Sequence, residues 1–428
     1  MTRIDWIDTV VIGAGHAGLA TSRALRDAGR EHVVLERGDI GEAWRRERWD
    51  SLRLLTPAWM NELPGMAGED DPDAFLTSAT FAERLAAYAG SVQAPVLPHT
   101  SVRSVHRRAG TGTHRYRVMT DAGAWLAHNV IVATGPGGSP VVPAPVGDLS
   151  PDLHVVASSA YRNPRALPAG GVLVVGASSS GVQIADELAR SGRRVLIAVG
   201  RHTRIPRRYR GMDIYWWLHR TGRLDRRIDD VPDPIAARRE SSLQLIGRYP
   251  SQSVDLPSLR DHGIELLGRW TGADGDRVRF ADDLTATCAA AERRLDRVLA
   301  AIDGHIDASG LTREVLPPDP PAGFVPAPSR TTVDLRAEGV TTVVLATGYR
   351  THLPWLRVPV FDGEGGIRQH HGVTPAPGLY TVGQRFQTRR SSGLIAGAQH
   401  DVAAVIAHLT QPRTRVAASA ALPEAGPR

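Results

Sequence analysis

Two glycine-rich turns constrain this chain more than any other feature: Gly13-Ala14-Gly15-His16-Ala17-Gly18 and Gly176-Ala177-Ser178-Ser179-Ser180-Gly181. Each follows an apolar run, Val10-Val11-Ile12 in the first case and Val172-Leu173-Val174-Val175 in the second. Runs apolar at every position read as strands covered on both faces, as in a parallel sheet flanked by helices. Each turn then opens a helical pattern. Glycine is needed there for the tight turn, for close approach of the backbone to a pyrophosphate, and for packing of helix on strand. One such turn is a weak signal. Two, in separate strand-helix units, predict an α/β chain with two dinucleotide-binding, Rossmann-like domains.

The residue after each second strand sorts the two nucleotides. Glu31-His32-Val33-Val34-Leu35-Glu36 ends in an acid about 18 residues past Gly18, near the spacing at which a carboxylate accepts from ribose hydroxyls. Glu36 suits a nucleotide with a free 2'-hydroxyl, FAD or NAD. In the second unit Arg194-Val195-Leu196-Ile197-Ala198-Val199 runs into Gly200-Arg201-His202-Thr203-Arg204, so a guanidinium replaces the acid. Arg201 and Arg204 predict 2'-phosphate recognition and therefore NADPH. The alternative is that both are ordinary surface cations.

Composition narrows the chemistry. Cys288 is the only cysteine among 428 residues, which excludes a disulfide within the chain, a Cys-x-x-Cys redox pair and a thiolate cluster. The chain has no lysine, so all 51 basic residues are arginine and a Schiff-base or Walker-type lysine is excluded. Net charge is +6. Its one dense cluster, Arg204-Ile205-Pro206-Arg207-Arg208-Tyr209-Arg210, follows the second strand and reads as attraction of an anionic cofactor, with no nucleic-acid role. The histidines are scattered apart from His370-His371, and no metal is expected. Apolar stretches are only strand-length and the start lacks a signal layout, so a cytoplasmic chain without membrane insertion is expected.

Along the chain, strands 8–13 and 32–36 flank a helix over 15–28, and a short helix runs from Phe81 to Ala89. Segments 113–119 and 124–132 alternate as a hairpin ending in Ala133-Thr134-Gly135-Pro136, and Val343 to Tyr349 repeats its Ala-Thr-Gly. Apolar spacing predicts a helix within 283–308. Residues 1–165 and 335–410 are expected to form one domain and 166–334 a second inserted into it, with 411–428 a disordered tail. The adjacent Trp216 and Trp217 cannot both face one core; a substrate pocket bordered by the 44–61 loop and this pair is expected, against the alternative that both pack on the 283–308 helix.

These residues resemble the flavin-containing monooxygenases of class B type and the bacterial group labelled potassium-transport flavoproteins, from Val10 to about Leu409. Beyond the two fingerprints, the resemblance rests on Gly41-Glu42-Ala43-Trp44, Trp49 to Pro57, Ser158 to Pro164, Ala346-Thr347-Gly348-Tyr349 and Gly378 to Gly383. It implies an FAD domain built from both chain ends, with the NADPH domain inserted. Gly13, Gly15, Gly18, Glu36, Arg37 and Val102 would hold FAD, with Trp44, Arg53 and Thr56 beside the flavin and Gly383 and Gln384 at its pyrimidine edge. Gly176, Ser178, Ser179, Ser180 and Gly181 would hold NADPH, while Thr134, Gly135, Thr347 and Gly348 lay small residues beside the cofactors. The implied reaction passes one oxygen atom from a peroxyflavin to a small apolar or aromatic amine, sulfide or ketone. The family fingerprint Phe-x-Gly-x-x-x-His is missing: aligned on Tyr161, its places hold Pro151, Leu153 and Ala157. Ser178 and Ser179 replace the usual Gly and Asn of the second fingerprint, and Pro57 an asparagine. A flavin oxidase or reductase without oxygen insertion, and a redox-sensing flavoprotein, stay open; no catalytic residue or oligomeric state is legible.

Overall fold

The structure, a computed structural model, describes residues 4–108, 115–136, 138–248 and 253–411. All but the first residue of the 411–428 tail, and the start of the 113–119 segment, lie outside them.

The first sheet has a parallel centre in which strand Ile4–Ile12 lies between His32–Leu35 and Ala124–Val132. Tyr116–Thr120 pairs antiparallel with Ala124–Val132 as the expected hairpin, Val102–Arg107 extends it to a meander that sequence did not announce, and Leu379–Thr381 pairs parallel to Ala124–Val132. Both faces are buried, as the continuous apolar runs require. Val11 and Ile131 pack under helix His16–Asp27, while Val10, Ile12, Val130 and Val132 fill the opposite face. The helix expected to stop at Gly90 runs Ser78–Ser91; the Thr77 hydroxyl caps its start by accepting from Thr80 N.

The second sheet is wholly parallel, in the order Glu265–Leu267, Val195–Ala198, Gly171–Val175, Val340–Leu345, His154–Ala157. The expected boundaries at 165/166 and 334/335 are therefore corrected. Strands His154–Ala157 and Val340–Leu345, placed with the first domain, belong to the second sheet. Their reason for joining it is burial: Val344 closes the face under helix Ser179–Arg190, and Val343 and Leu345 close the other. A three-stranded antiparallel sheet, Trp270–Asp274, Arg277–Phe280 and Thr332–Asp334, covers that second face.

Helix Leu284–Ala308 buries Leu284, Cys288, Ala291, Leu295, Leu299, Ile302 and Ile306, one stripe at spacings of three or four. Among the described residues no helix is long and apolar enough to cross a membrane.

Candidate functional site

The two glycine turns have the same backbone. Gly13 and Gly176 both sit at φ +107°, a conformation side chains rarely adopt. A Cβ on Gly13 would lie 2.8 Å from the Ala133 carbonyl oxygen, and one on Gly176 2.5 Å from that of Ala346. Each Ala-Thr-Gly segment thus packs directly over one turn. A Cβ on Gly18 or Gly181 would fall 1.9 or 1.8 Å from the Gly13 or Gly176 oxygen, so these glycines let the helix close on its own turn. Gly15 is different: nothing lies within 4 Å of its Cβ position. Neither helix start is capped by a side chain, Gly15 preceding one and Ser178 the other. Open space and uncapped N–H groups form the kind of cradle a pyrophosphate fits.

Beyond the strands the two units diverge. Glu36 is buried and its carboxylate accepts from Ala14 N at 2.7 Å and Gly38 N at 3.2 Å, which ties the acid to the first turn. Arg201 is exposed at the mouth of the second unit. Arg204 is not available to a phosphate, and its expected cofactor role is corrected. Its guanidinium, 5% exposed, donates to Asp255 at 2.8 Å, to both oxygens of Glu292 and to Ala322 O. The basic cluster is largely internal for the same reason. Arg207 is enclosed with Asp213 and Leu55 O, and Arg210 with Asp303 and Leu316 O. It is therefore no beacon for an anionic cofactor.

Between the two turns lies a cavity of about 270 Å³. His16 lines it from the first glycine helix, Ser179, Ser180 and Gln183 from the second, and residues 393–395 from the C-terminal part. Trp44, Arg53 and Thr56 reach it from the loop singled out by sequence. Trp44 packs edge-on to Phe81, with ring centroids 5.0 Å apart, and the Arg48 guanidinium lies over its ring. Arg53 donates to Phe75 O at 2.8 Å, and the Thr56 hydroxyl to Asn61 Oδ1 at 2.5 Å. Burial pushes the His16 imidazole down to about 4, so it is neutral near pH 7. At the rim the Ser158 and Tyr349 hydroxyls meet at 3.0 Å.

Trp217 is corrected: it is no pocket residue. It is fully buried against helix Leu284–Ala308, and its indole N–H donates to Tyr209 O at 2.8 Å. Trp216 stands half-buried and edge-on to Trp217, outside the cavity, with Arg220 over its ring. Helix Ile214–Arg220 turns the preceding residue, Tyr215, into the cavity instead. Arg37 pairs with Glu47 on the surface. Val102 opens a strand of the meander, opposite Thr120. Thr347 donates to Val141 O at 2.5 Å; Gly135 and Gly348 adopt φ +73° and +87°, and Gln384 reaches Gly135 O at 3.4 Å.

Two groups escaped the sequence reading. Asp401, on helix Ala398–Thr410, takes hydrogen bonds from Thr388 Oγ1 and Ser392 Oγ at 2.6 and 2.8 Å, both on one carboxylate oxygen. Burial pushes the carboxyl up to about 6, against these hydroxyls and the backbone N–H groups of Thr388 and Gly383. Arg294, on helix Leu284–Ala308, donates to His202 O at 2.6 Å and keeps a buried, unpartnered Nε. Burial, and then the like charges of Arg201, Arg297 and Arg293, push its guanidinium down. No local motif announces either residue. Cys288 is buried in the core of the second unit, its thiol pushed up to about 11, mainly by burial.

The profile of the pyridine nucleotide-disulphide oxidoreductases matches residues 10–221. The chain is 30% identical over 399 residues to an uncharacterized CzcO-like oxidoreductase of Geobacillus kaustophilus, covering 92% of this chain and 96% of that one. It is 26% identical to the indole-3-pyruvate monooxygenase YUCCA1 of Oryza sativa, over 89% of this chain and 87% of the relative. In fold it is similar to a flavin-containing monooxygenase from Stenotrophomonas maltophilia, with TM-score 0.64, 19% identity, and coverage of 95% of this chain and 98% of the other. The chain belongs to the CzcO-like oxidoreductases.

Proposed function

We propose that this chain is an NADPH-dependent FAD monooxygenase that oxygenates a small apolar or aromatic amine, sulfide or ketone. The observation that carries the reading is the shared cavity. The helices of both glycine turns open onto it, so two dinucleotides held in the two cradles would bring their reactive rings together there. Bound flavin supplies the hydride acceptance and oxygen activation.

The chain's own residues bind, orient and exclude water. The uncapped helix N-termini hold the pyrophosphates and Glu36 the FAD ribose. Arg201 and Arg294 hold the NADPH 2'-phosphate, whose charge would relieve the repulsion between them. Trp49, Leu52, Leu54 and Ile395 give the cavity apolar walls that exclude water, and neutral His16 offers a hydrogen bond without a competing charge. Gly383 abuts Ala17 at the start of the first helix, fitting its place at the flavin pyrimidine.

The test is to turn the holoprotein over with NADPH, isotopically labelled oxygen gas and one sulfide, one amine and one ketone of small size. Labelled product with little hydrogen peroxide is expected for at least one of them. If all oxygen consumed appears as hydrogen peroxide with every probe, the oxidase or reductase reading replaces this one. That second reading has one observation in its favour: Ala157, at the end of its strand, stands where the family fingerprint has histidine.

A further inference from the structure

Asp229, His370 and His371 converge from segments 141 and 142 residues apart. His370 Nε2 lies 3.1 Å from one Asp229 oxygen and His371 Nε2 3.0 Å from the other. The two imidazoles stack, with ring centroids 4.1 Å apart and planes 20° from parallel, so their Nε2 atoms face the same carboxylate side by side. All three donor atoms fall within 4.8 Å of one another. A tetrahedral zinc ion with bonds of about 2.0–2.1 Å spaces its ligand atoms about 3.3 Å apart, close to the two nitrogen–oxygen separations of 3.1 and 3.0 Å, and a small tilt of the stacked rings would turn both in-plane lone pairs toward one ion. Spacing along the chain concealed this group, because the carboxylate comes from elsewhere.

The backbone holds the histidines in this pose. His371 sits at φ +50°, a left-handed conformation that costs a residue bearing a Cβ. Hydrogen bonds in both directions between His370 and Val373 close the turn, and the Gln369 side chain braces it by accepting from Gly372 N at 2.7 Å. Asp229 is anchored too, since Ile228 N donates to Thr388 O at 2.9 Å. The nearest competitor for the carboxylate is Arg227, at 3.3 Å.

We propose that Asp229, His370 and His371 form a surface site for a divalent cation of the zinc class, with water completing its coordination. Two imidazoles and one carboxylate are ligands of intermediate softness, which select zinc over magnesium or calcium. The bound ion links the loop around Asp229, which lies in the inserted part of the sequence, to the turn at 370–373 in the C-terminal part. Occupancy therefore stabilises the contact between these two segments, beside the 388–395 stretch that ends in the cavity wall.

Titration of untagged holoprotein with zinc chloride tests the site, an affinity tag being a competing ligand. One zinc per chain is expected, and cobalt chloride should give the visible absorption of a four- or five-coordinate ion. His370→Ala, His371→Ala and Asp229→Asn should each weaken zinc by about 10–100-fold. His99→Ala, which removes an isolated exposed His-Asp pair of 3.2 Å, should leave zinc binding unchanged. Saturating zinc should raise the Tm of the parent protein by about 2–5 °C, reversibly on chelation. The double variant His370→Ala/His371→Ala should show no rise. Absence of stoichiometric binding, zinc binding that survives the double variant, or equal loss in His99→Ala would overturn the proposal.

Discussion

The two glycine turns share one backbone and differ in what surrounds it. Gly13 and Gly176 have the same φ, and Gly18 and Gly181 approach their turns to within 0.1 Å of the same distance. The first turn then recruits a buried acid, tied to its own backbone through Ala14 N. The second leaves an exposed arginine at the corresponding strand end and commits the next one, Arg204, to an internal ion cluster. On the proposed function, pyrophosphate binding is a property of the backbone and can recur unchanged. Discrimination between ribose and ribose phosphate belongs to one or two side chains whose availability is decided by distant packing.

The sharpest break in the second unit comes from exchanging its two arginines. Arg204→Ala leaves Asp255 and Glu292 without their cation in a mostly buried site, and should cost about 3–5 kcal/mol of stability. Arg201→Ala should leave the Tm unchanged and raise the KM for NADPH by about 10–100-fold while that for NADH stays put, because the charge-assisted contact exists only with the phosphate. Thermal melts and the paired coenzyme kinetics check both. Equal loss for both coenzymes would make Arg201 a structural residue.

The next comparison lies within each turn. Gly18→Ala and Gly181→Ala place a methyl group against a backbone carbonyl that cannot rotate away, and should each cost about 3 kcal/mol. Gly15→Ala meets nothing in the protein, so its Tm should hold while FAD affinity falls. A stability loss for Gly15→Ala comparable with that for Gly18→Ala would show that the open space at Gly15 is not reserved for a ligand.

Glu36 marks the first unit's side of the contrast. Glu36→Ala removes the acceptor of two backbone N–H groups and should weaken FAD by about 1–3 kcal/mol, read by flavin titration. NADPH affinity of the FAD-loaded variant should not change. If both nucleotides weaken together, the two cradles are not independent.

What the sequence made legible was what the backbone demands. Only glycine satisfies the φ of Gly13 and the approach of Gly18, so those positions announce themselves. The apolar stripe of helix Leu284–Ala308 was equally plain, because burial repeats at helical spacing. Partner choice was not local. Strand His154–Ala157 carries nothing that says which sheet it joins; its place follows from Val340–Leu345 pairing alongside it. Arg201 and Arg204 look alike three residues apart, and Asp255 with Glu292 decides which one is spent on packing. Tyr215 lines the cavity where Trp217 was expected, because a helix points the two in different directions, and His370-His371 gained meaning only when Asp229 arrived beside them.

The smallest expected effect concerns Asp401. Its carboxyl, normally near 3.8, is raised to about 6 by burial. The folded protein therefore holds a proton that the unfolded chain has released between about pH 4 and pH 6, and across that window this group's contribution to stability falls as pH rises. Below the window the contribution is intact; above it the cost of keeping a buried anion is constant. Asp401→Asn keeps an acceptor for Thr388 and Ser392 without the charge. The variant should match the parent at pH 4, then become more stable by about 1 kcal/mol at pH 7.5, less than the full linkage because the charge-assisted bonds are also lost. Paired melts at the two pH values measure the difference directly, since every other titrating group is common to both proteins. A difference that stays flat from pH 4 to 7.5 would mean that Asp401 titrates as an ordinary carboxylate, and that the hydroxyls of Thr388 and Ser392 fully offset its burial.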